Sequence, residues 1–228
     1  MKTQIIILSG KAQSGKDTGC EALQDWIHSA YYPAETKKYA FAQPIKDFCI
    51  NVLGLEHQQA WGTDEEKNQP THILWKDMPL DSQVLSQVMC RETQESGLKI
   101  DLKTPMSGRQ IMQIFGTEIC RKMYGDCWVR ATVSAIKKDN LNFALISDCR
   151  FPNEIDYLKE YDPIVLRLAR NPLDKHHDSE TALDDYDWDS IKRFSHISNG
   201  LLSMDSKNKK IIQAFTKHSI RGGVKCKN

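Results

Sequence analysis

No stretch of the chain approaches the ~18 consecutive apolar residues of a membrane span. The one apolar run near its start, Ile5–Leu8, is too short for the core of a signal peptide and is followed by no cleavage site. An excess of one charge is also missing. Lys and Arg number 31 against 30 Asp and Glu, a formal net charge of +1, so nothing draws the whole molecule to DNA, RNA or a membrane surface. Any anionic ligand must be held by a local cluster. Closely spaced cysteines are lacking too. The seven cysteines, at 20, 49, 90, 120, 127, 149 and 226, are odd in number and none is spaced CxxC; beside them, His176-His177 alone makes a weak case for zinc. Cys20, Cys49 and Cys120 sit inside apolar patterns and read as reduced thiols used as small core residues, which fits the cytosol or a similar reducing compartment. There is no internal repeat and no low-complexity tract.

What is present is ordinary globular material: 228 residues, 40% hydrophobic and 27% charged, enough for one domain carrying a large insertion. Gln4–Leu8, rich in isoleucine and bounded by Gly10, reads as a buried parallel strand. Asp17–Ala30 follows as a helix with Cys20, Leu23, Ile27 and Ala30 on one face. Lys37–Phe41 reads as a second strand, and Pro44 opens a helix with Ile45, Phe48, Cys49 and Val52 on its apolar side. Residues 56–107 contain Gly62, Pro70, Pro79, Gly97 and Pro105, but also Trp61, Trp75 and Met78. They read as an insertion with short elements of its own, because a linker would lack such anchors.

Gly108–Tyr124 has the clearest helical pattern. Ile111, Met112, Phe115, Ile119 and Met123 occupy one side at ~100° per residue, and Arg109, Gln113, Thr117 and Arg121 the other as an i+4 series. A helix carrying Trp128, Val129, Val133 and Ile136 comes next. A strand at Phe143–Ser147 runs into Asp148-Cys149-Arg150, and a helix starts at Pro152. A strand at Ile164–Leu168 leads into the charged stretch 169–189. His196–Ser198 reads as a short fifth strand, and a helix over Met204–His218 precedes a basic tail. Strands alternating with helices imply an α/β fold with a parallel central sheet, whose ligands sit beyond the carboxyl ends of the strands.

Two motifs fall at such ends. Gly10-Lys11-Ala12-Gln13-Ser14-Gly15-Lys16-Asp17 matches G-x-x-x-x-G-K between a strand and a helix. Its glycines let the backbone curl so that N–H groups point at phosphate oxygens, the helix dipole adds to them, and Lys16 supplies a mobile charge. Asp17 stands where a Ser or Thr hydroxyl normally ligates Mg²⁺. Either Asp17 takes the metal or the neighbouring Thr18 supplies the hydroxyl. The second motif is Asp148, which reads as a residue for a Mg²⁺-bound water or for the acceptor, or alternatively as a turn aspartate. Arg150 lies two residues on, and its planar fork suits a phosphate monoester.

Other candidates are less sharply drawn. The stripe Arg109, Gln113, Thr117 and Arg121 holds two cations, two neutral hydrogen-bonding residues and no acid, which suits an anionic acceptor; a solvated helix face is the alternative. Lys46 reads as an acceptor cation or a surface lysine. Arg170, beyond the fourth strand, is the candidate lid cation that would arrive over a transferring phosphoryl group and exclude water. Arg167 lies within that strand and reads as structural. His176, His177 and Glu180 share the lid segment. Asp178, Asp184, Asp185, Asp187 and Asp189 read as a solvated acidic run.

With these residues placed, the chain resembles the deoxynucleoside monophosphate kinases of bacteriophages and related viruses. The resemblance is carried by LSGKAQSGKDT, AFAQPIKD, WGTDEEKNQPTHILWKDMP, GRQIMQIFGTEICRKMYGDCWVRA, LISDCRFPNEID and RLARNPLDKHHDSETALDDYD, in order from the first strand to about residue 190. An Asp after the loop lysine is usual in that group. The resemblance implies ATP–Mg²⁺-dependent transfer of the γ-phosphoryl group to a (deoxy)nucleoside 5′-monophosphate. It also implies the nucleoside monophosphate kinase fold, a three-layer arrangement around a parallel five-stranded sheet with an insertion and a moving lid over 169–189. Carried onto this chain, the ATP phosphates meet Gly10–Thr18, including Lys11, Gln13, Ser14 and Gly15. The acceptor phosphate meets Arg150 with Arg109 or Lys46, and the base lies against Trp61-Gly62, Gln113 and Thr117. The expected partners are nucleotides, without nucleic acid or membrane. Monomer and homodimer both stay open. The expected location is the cytoplasm, that of the host if a virus encodes the chain. Animal-type phosphomevalonate kinase is similar in the loop, the strand end at Asp148 and SETALDDYD, but not in the central block. A nucleotide-binding module without catalysis is the remaining alternative, and the arginines away from the loop argue against it.

Overall fold

The computed structural model describes residues 3–97, 99–170 and 181–219. The chain folds as two compact units, one built from residues 1–43 and 128–228, the other from Pro44–Cys127. The second unit takes in the expected insertion at 56–107 together with the helices on either side of it.

In the first unit, β1 (Gln4–Ser9), β2 (Thr36–Tyr39), β5 (Phe143–Ile146), β6 (Ile164–Leu168) and β7 (Arg193–Ile197) form a five-stranded sheet in the order β2-β5-β1-β6-β7. Every neighbouring pair is parallel, with Ile6 level with Leu145 on one side and Ile164 on the other. Strand period explains the layers. Ile5 and Ile7 of β1 face Val129, Val133 and Ile136 of α7 (Cys127–Asp139) and Ile155 and Leu158 of α8 (Pro152–Leu158). Ile6 and Leu8 point the other way, toward Cys20, Leu23 and Ile27 of α1 (Lys16–Ala30) and Ile211 and Phe215 of α9 (Met204–Ser219). A sheet buried on both faces needs the near-continuous apolar strands that the sequence shows. Because all five strands run the same way, Tyr39, Ser9, Ile146, Leu168 and Ile197 deliver their following loops to one edge. The expected α/β fold with a five-stranded parallel sheet is therefore present, and β7 is longer than the predicted fifth strand.

The second unit holds α2 (Gln43–Asn51, beginning one residue earlier), α3 (His57–Trp61), α4 (Asp64–Lys67), α5 (Ser82–Ser96), α6 (Gly108–Ile114) and an antiparallel pair, β3 (Pro70–Leu74) with β4 (Pro105–Ser107). Trp75, Met106, Ile111 and Ile114 are fully buried there. Val52, expected on the apolar face of α2, lies past the end of that helix and is 65% exposed. The chain enters α6 through a capping box, in which Ser107 Oγ accepts from Gln110 N–H and Gln110 returns a bond to the Ser107 N–H.

After Ile114 the helix continues as a wider π-helical stretch, Phe115–Arg121. Wider turns shift every later side chain around the axis. Met123, predicted on the apolar side, is instead 79% exposed, while Gly116 is buried. Gly108 is fixed by packing. A Cβ at that position would lie 2.3 Å from the Gln59 carbonyl oxygen of α3. Gly108→Ala is expected to destabilise the protein by roughly 2–4 kcal/mol, read as a lower denaturant midpoint, because backbone cannot yield as a flexible side chain does.

Candidate active site

The loop between β1 and α1 is built on backbone conformations that glycine favours. Gly10 has φ 148° and Gly15 has φ 92°; a Cβ on Gly10 would lie 2.8 Å from Ser14 Oγ and 2.9 Å from the Leu168 carbonyl oxygen. Gln13 takes φ 56° without being glycine. Lys16 is nearly buried, and its Nζ donates to the carbonyls of Gly10 at 2.7 Å and Lys11 at 2.6 Å. The hydroxyls of Ser9 and Ser14 are buried without a hydrogen-bond partner among the described residues. Buried polar atoms of this kind call for a partner from outside the chain.

Asp17 accepts from Ser147 Oγ at 2.9 Å, which ties the start of α1 to the end of β5. Thr18 is differently engaged. Its hydroxyl donates to the Gly15 carbonyl at 3.2 Å and accepts from Lys207 Nζ at 2.6 Å. Of the two residues weighed for a metal, only Asp17 keeps an oxygen beyond these bonds. Among the described residues no group of three His, Cys, Asp or Glu side chains could hold a metal, so a cation there would depend on its ligand's own oxygens.

Asp148 was weighed for a metal, for the acceptor and as a turn aspartate. Both of its carboxylate oxygens accept main-chain bonds, from Phe41 N–H at 2.9 Å and Ala42 N–H at 3.0 Å. Burial pushes its carboxyl up, opposed by those two N–H groups and by Arg150. Its first task is to hold the turn after β2. Arg150 is exposed, and its main-chain N–H, with that of Phe151, is held by the buried Glu154 carboxylate at 2.8 and 3.1 Å.

Arg150 lines one small cleft with Ser9, Gly10 and Lys11 of the phosphate loop and with Arg167, Cys149 and Leu183. Arg167, read as structural from its place in the strand, also lines this cleft. Asp184, expected in a solvated acidic run, is ion-paired there to Lys11 at 3.0 Å and Arg167 at 3.1 Å, with the Arg167 guanidinium also 4.7 Å above the Trp188 ring. A carboxylate between two cations marks where an anion is favoured. Arg170 is exposed, and its N–H donates to Asn199 Oδ1 at 2.8 Å, while Asn199 Nδ2 donates to the Ser14 carbonyl at 3.0 Å. His176, His177, Asp178 and Glu180 lie outside the described residues.

The remaining candidates fall in the second unit. Lys46 Nζ sits 4.0 Å above the Trp61 ring. Arg109 donates to Asp64 and, at 3.1 Å, to Asn68 Oδ1, both in the segment after Trp61. Gln113 and Thr117 are exposed and Arg121 is half-buried, the last two within the π-helical stretch. A cleft of about 460 Å³ beside α5 contains none of these residues.

A model of the family described as deoxynucleotide monophosphate kinase matches residues 58–191, more than half of the chain. The chain belongs to the deoxynucleotide monophosphate kinase family. It is 26% identical to the deoxynucleoside-5′-monophosphate kinase of Escherichia phage T5, over 68% of this chain and 72% of that one. It is 27% identical, over 78% of this chain and 81% of the other, to a protein of Acanthamoeba polyphaga mimivirus provisionally named a deoxynucleotide monophosphate kinase. The kinase is accordingly an ATP-dependent phosphotransferase of the viral type that the motifs resembled. No helix among its described residues is long and apolar enough to cross a membrane.

Sequence reading missed Asn199, Asp184, Glu154 and Lys207. A signal existed for the last two. Glu154 is the third residue after Phe151, a capping-box position, and Lys207 lies four residues before Ile211 on the buried face of α9. Asp148→Ala strips two main-chain donors of a charged acceptor and is expected to cost about 2–4 kcal/mol of stability, measured by denaturant unfolding, with Asp148→Asn losing less.

Proposed function

We propose that the kinase holds two anions side by side, with ATP on the Gly10–Thr18 loop and the phosphate of a deoxynucleoside 5′-monophosphate on Arg150. The observation that carries this reading is the cleft shared by Gly10, Lys11, Arg150 and Arg167. An acceptor phosphate oxygen bonds the γ-phosphorus, the bond from that phosphorus to the β–γ bridging oxygen breaks, and ADP leaves. The acceptor is already an anion near neutral pH, so no strong general base is needed. Positioning and charge neutralisation supply the catalysis.

Within this scheme the loop N–H groups and Lys16 hold the donor phosphates, Lys16 exchanging its carbonyl partners for phosphate oxygens. Gln13 and Ser14 shape the turn. Mg²⁺ fits Asp17, whose carboxylate is held from one side by Ser147 and needs the triphosphate to complete a ligand set. When bound, it supplies neutralisation of phosphate charge. Asp148 positions the turn after β2 and Arg150 takes the acceptor phosphate. Arg170 covers the transferring group from just beyond the end of β6. Within the second unit, Lys46, Trp61, Arg109, Gln113, Thr117 and Arg121 are the candidate nucleotide contacts, Trp61 as a face on which a base can stack and the cations as phosphate partners.

Lys16→Ala is expected to lower kcat by about 100-fold or more with the melting temperature retained. Near-normal transfer by that variant would remove the loop from the reaction. Arg150→Ala is expected to raise KM for the acceptor about tenfold to 100-fold, the worth of a charge-assisted pair, with KM for ATP within about twofold. Unchanged acceptor kinetics would remove Arg150 from the site.

A further inference from the structure

Lys207 begins a basic run on α9 (Lys207, Lys209, Lys210) that reads as a solvated face, yet only 6% of it is exposed. Its Nζ donates to the Gly15 carbonyl at 3.1 Å and to Thr18 Oγ1 at 2.6 Å, and a Cβ on Gly15 would lie 2.9 Å from that nitrogen. No acidic side chain among the described residues forms an ion pair with it. Glu21 acts on it only at longer range, Arg170 opposes its charge, and burial pulls its ammonium below the ordinary lysine range. An ammonium with only a carbonyl and a hydroxyl for company is expensive to bury, and a nearby anion is what offsets such a cost. The place it occupies is the turn where the phosphate loop enters α1. Lys16 binds the opening of the loop through Gly10 and Lys11, and Lys207 binds its close through Gly15 and Thr18.

We propose that Lys207 is a positioning residue of the donor site: it sets the Gly15–Thr18 turn and lends that turn an uncompensated positive charge, which the triphosphate of ATP meets. This rests on Gly10–Thr18 being the triphosphate loop. Residue 207 lies outside the 58–191 match to the family model, and its role is argued from the geometry alone. Thr18 is thereby held as an acceptor for the lysine, which leaves Asp17 as the cation-facing residue of the pair.

The test compares Lys207→Met, which keeps shape without polarity, with Lys207→Gln, which keeps a hydrogen-bond donor without charge. Both are expected to raise KM for ATP about tenfold or more and to leave KM for the acceptor within about twofold. The melting temperature without nucleotide is expected to hold or rise, because a buried charge has been removed, while the rise that ATP produces shrinks. A purely structural clamp gives the opposite pattern. Its loss lowers the melting temperature and shifts both KM values together, and Gln, still a donor, largely restores function. That pattern, or an ATP KM within twofold of the unsubstituted protein in folded Lys207→Gln, overturns the proposal. If Lys207→Met fails to fold, Lys207→Gln decides. Lys16→Ala, measured alongside, separates the two layers. Loss of ATP binding there with none in Lys207→Gln overturns the role of Lys207 alone, and retained ATP binding in Lys16→Ala overturns the loop reading beneath it.

Discussion

A loop that turns its N–H groups toward an anion must find partners for its carbonyls and hydroxyls on the other side. In this chain a few side chains meet that demand. Lys16 bonds the carbonyls of Gly10 and Lys11 until phosphate oxygens draw it away, while Asn199 satisfies that of Ser14, and Lys207 that of Gly15 together with the Thr18 hydroxyl. These side chains come from the loop itself, from the end of β7 and from α9, so the loop holds its shape only when the sheet is complete and α9 has packed across α1. The tight approach of Gly10 to Leu168 expresses the same dependence at the end of β6.

That constraint also orders the rest of the edge. Asp17 and Ser147 tie α1 to β5, Asp148 ties β5 to the turn after β2, and Glu154 fixes the main chain that carries Arg150. Each bond is modest alone, but together they place a cation, Arg150, beside the loop. Asp184 stands between Lys11 and Arg167. Two cations held around one carboxylate suit a site whose task is to receive anions.

Local patterns made most of the fold legible. The isoleucine run of β1, the periodicity of α1 and α7 and the G-x-x-x-x-G-K loop are properties of adjacent residues, and they appear where period and turn chemistry put them. The Gly108–Tyr124 pattern was legible only in part. A wider turn after Ile114 breaks the 3.6-residue period, and Met123 beyond it is exposed where that period puts it on the apolar face. Asn199 and Asp184 were hidden for another reason. Asn199 meets Ser14 across 185 positions of sequence, and Asp184 meets Lys11 across a similar separation. No local pattern encodes such returns. Lys207 sat between these cases, with a visible helical phase that its basic neighbours disguised.

The reaction proposed for this edge of the sheet moves a phosphoryl group between two phosphate-bearing molecules. The most direct measurement is release of ADP from ATP with each common deoxynucleoside 5′-monophosphate, several modified ones, and mevalonate phosphate as acceptors, with the products identified by chromatography. ADP release is expected to depend on a deoxynucleoside monophosphate and to be matched mole for mole by its diphosphate. ADP release indifferent to every acceptor, or supported by mevalonate phosphate alone, would contradict it.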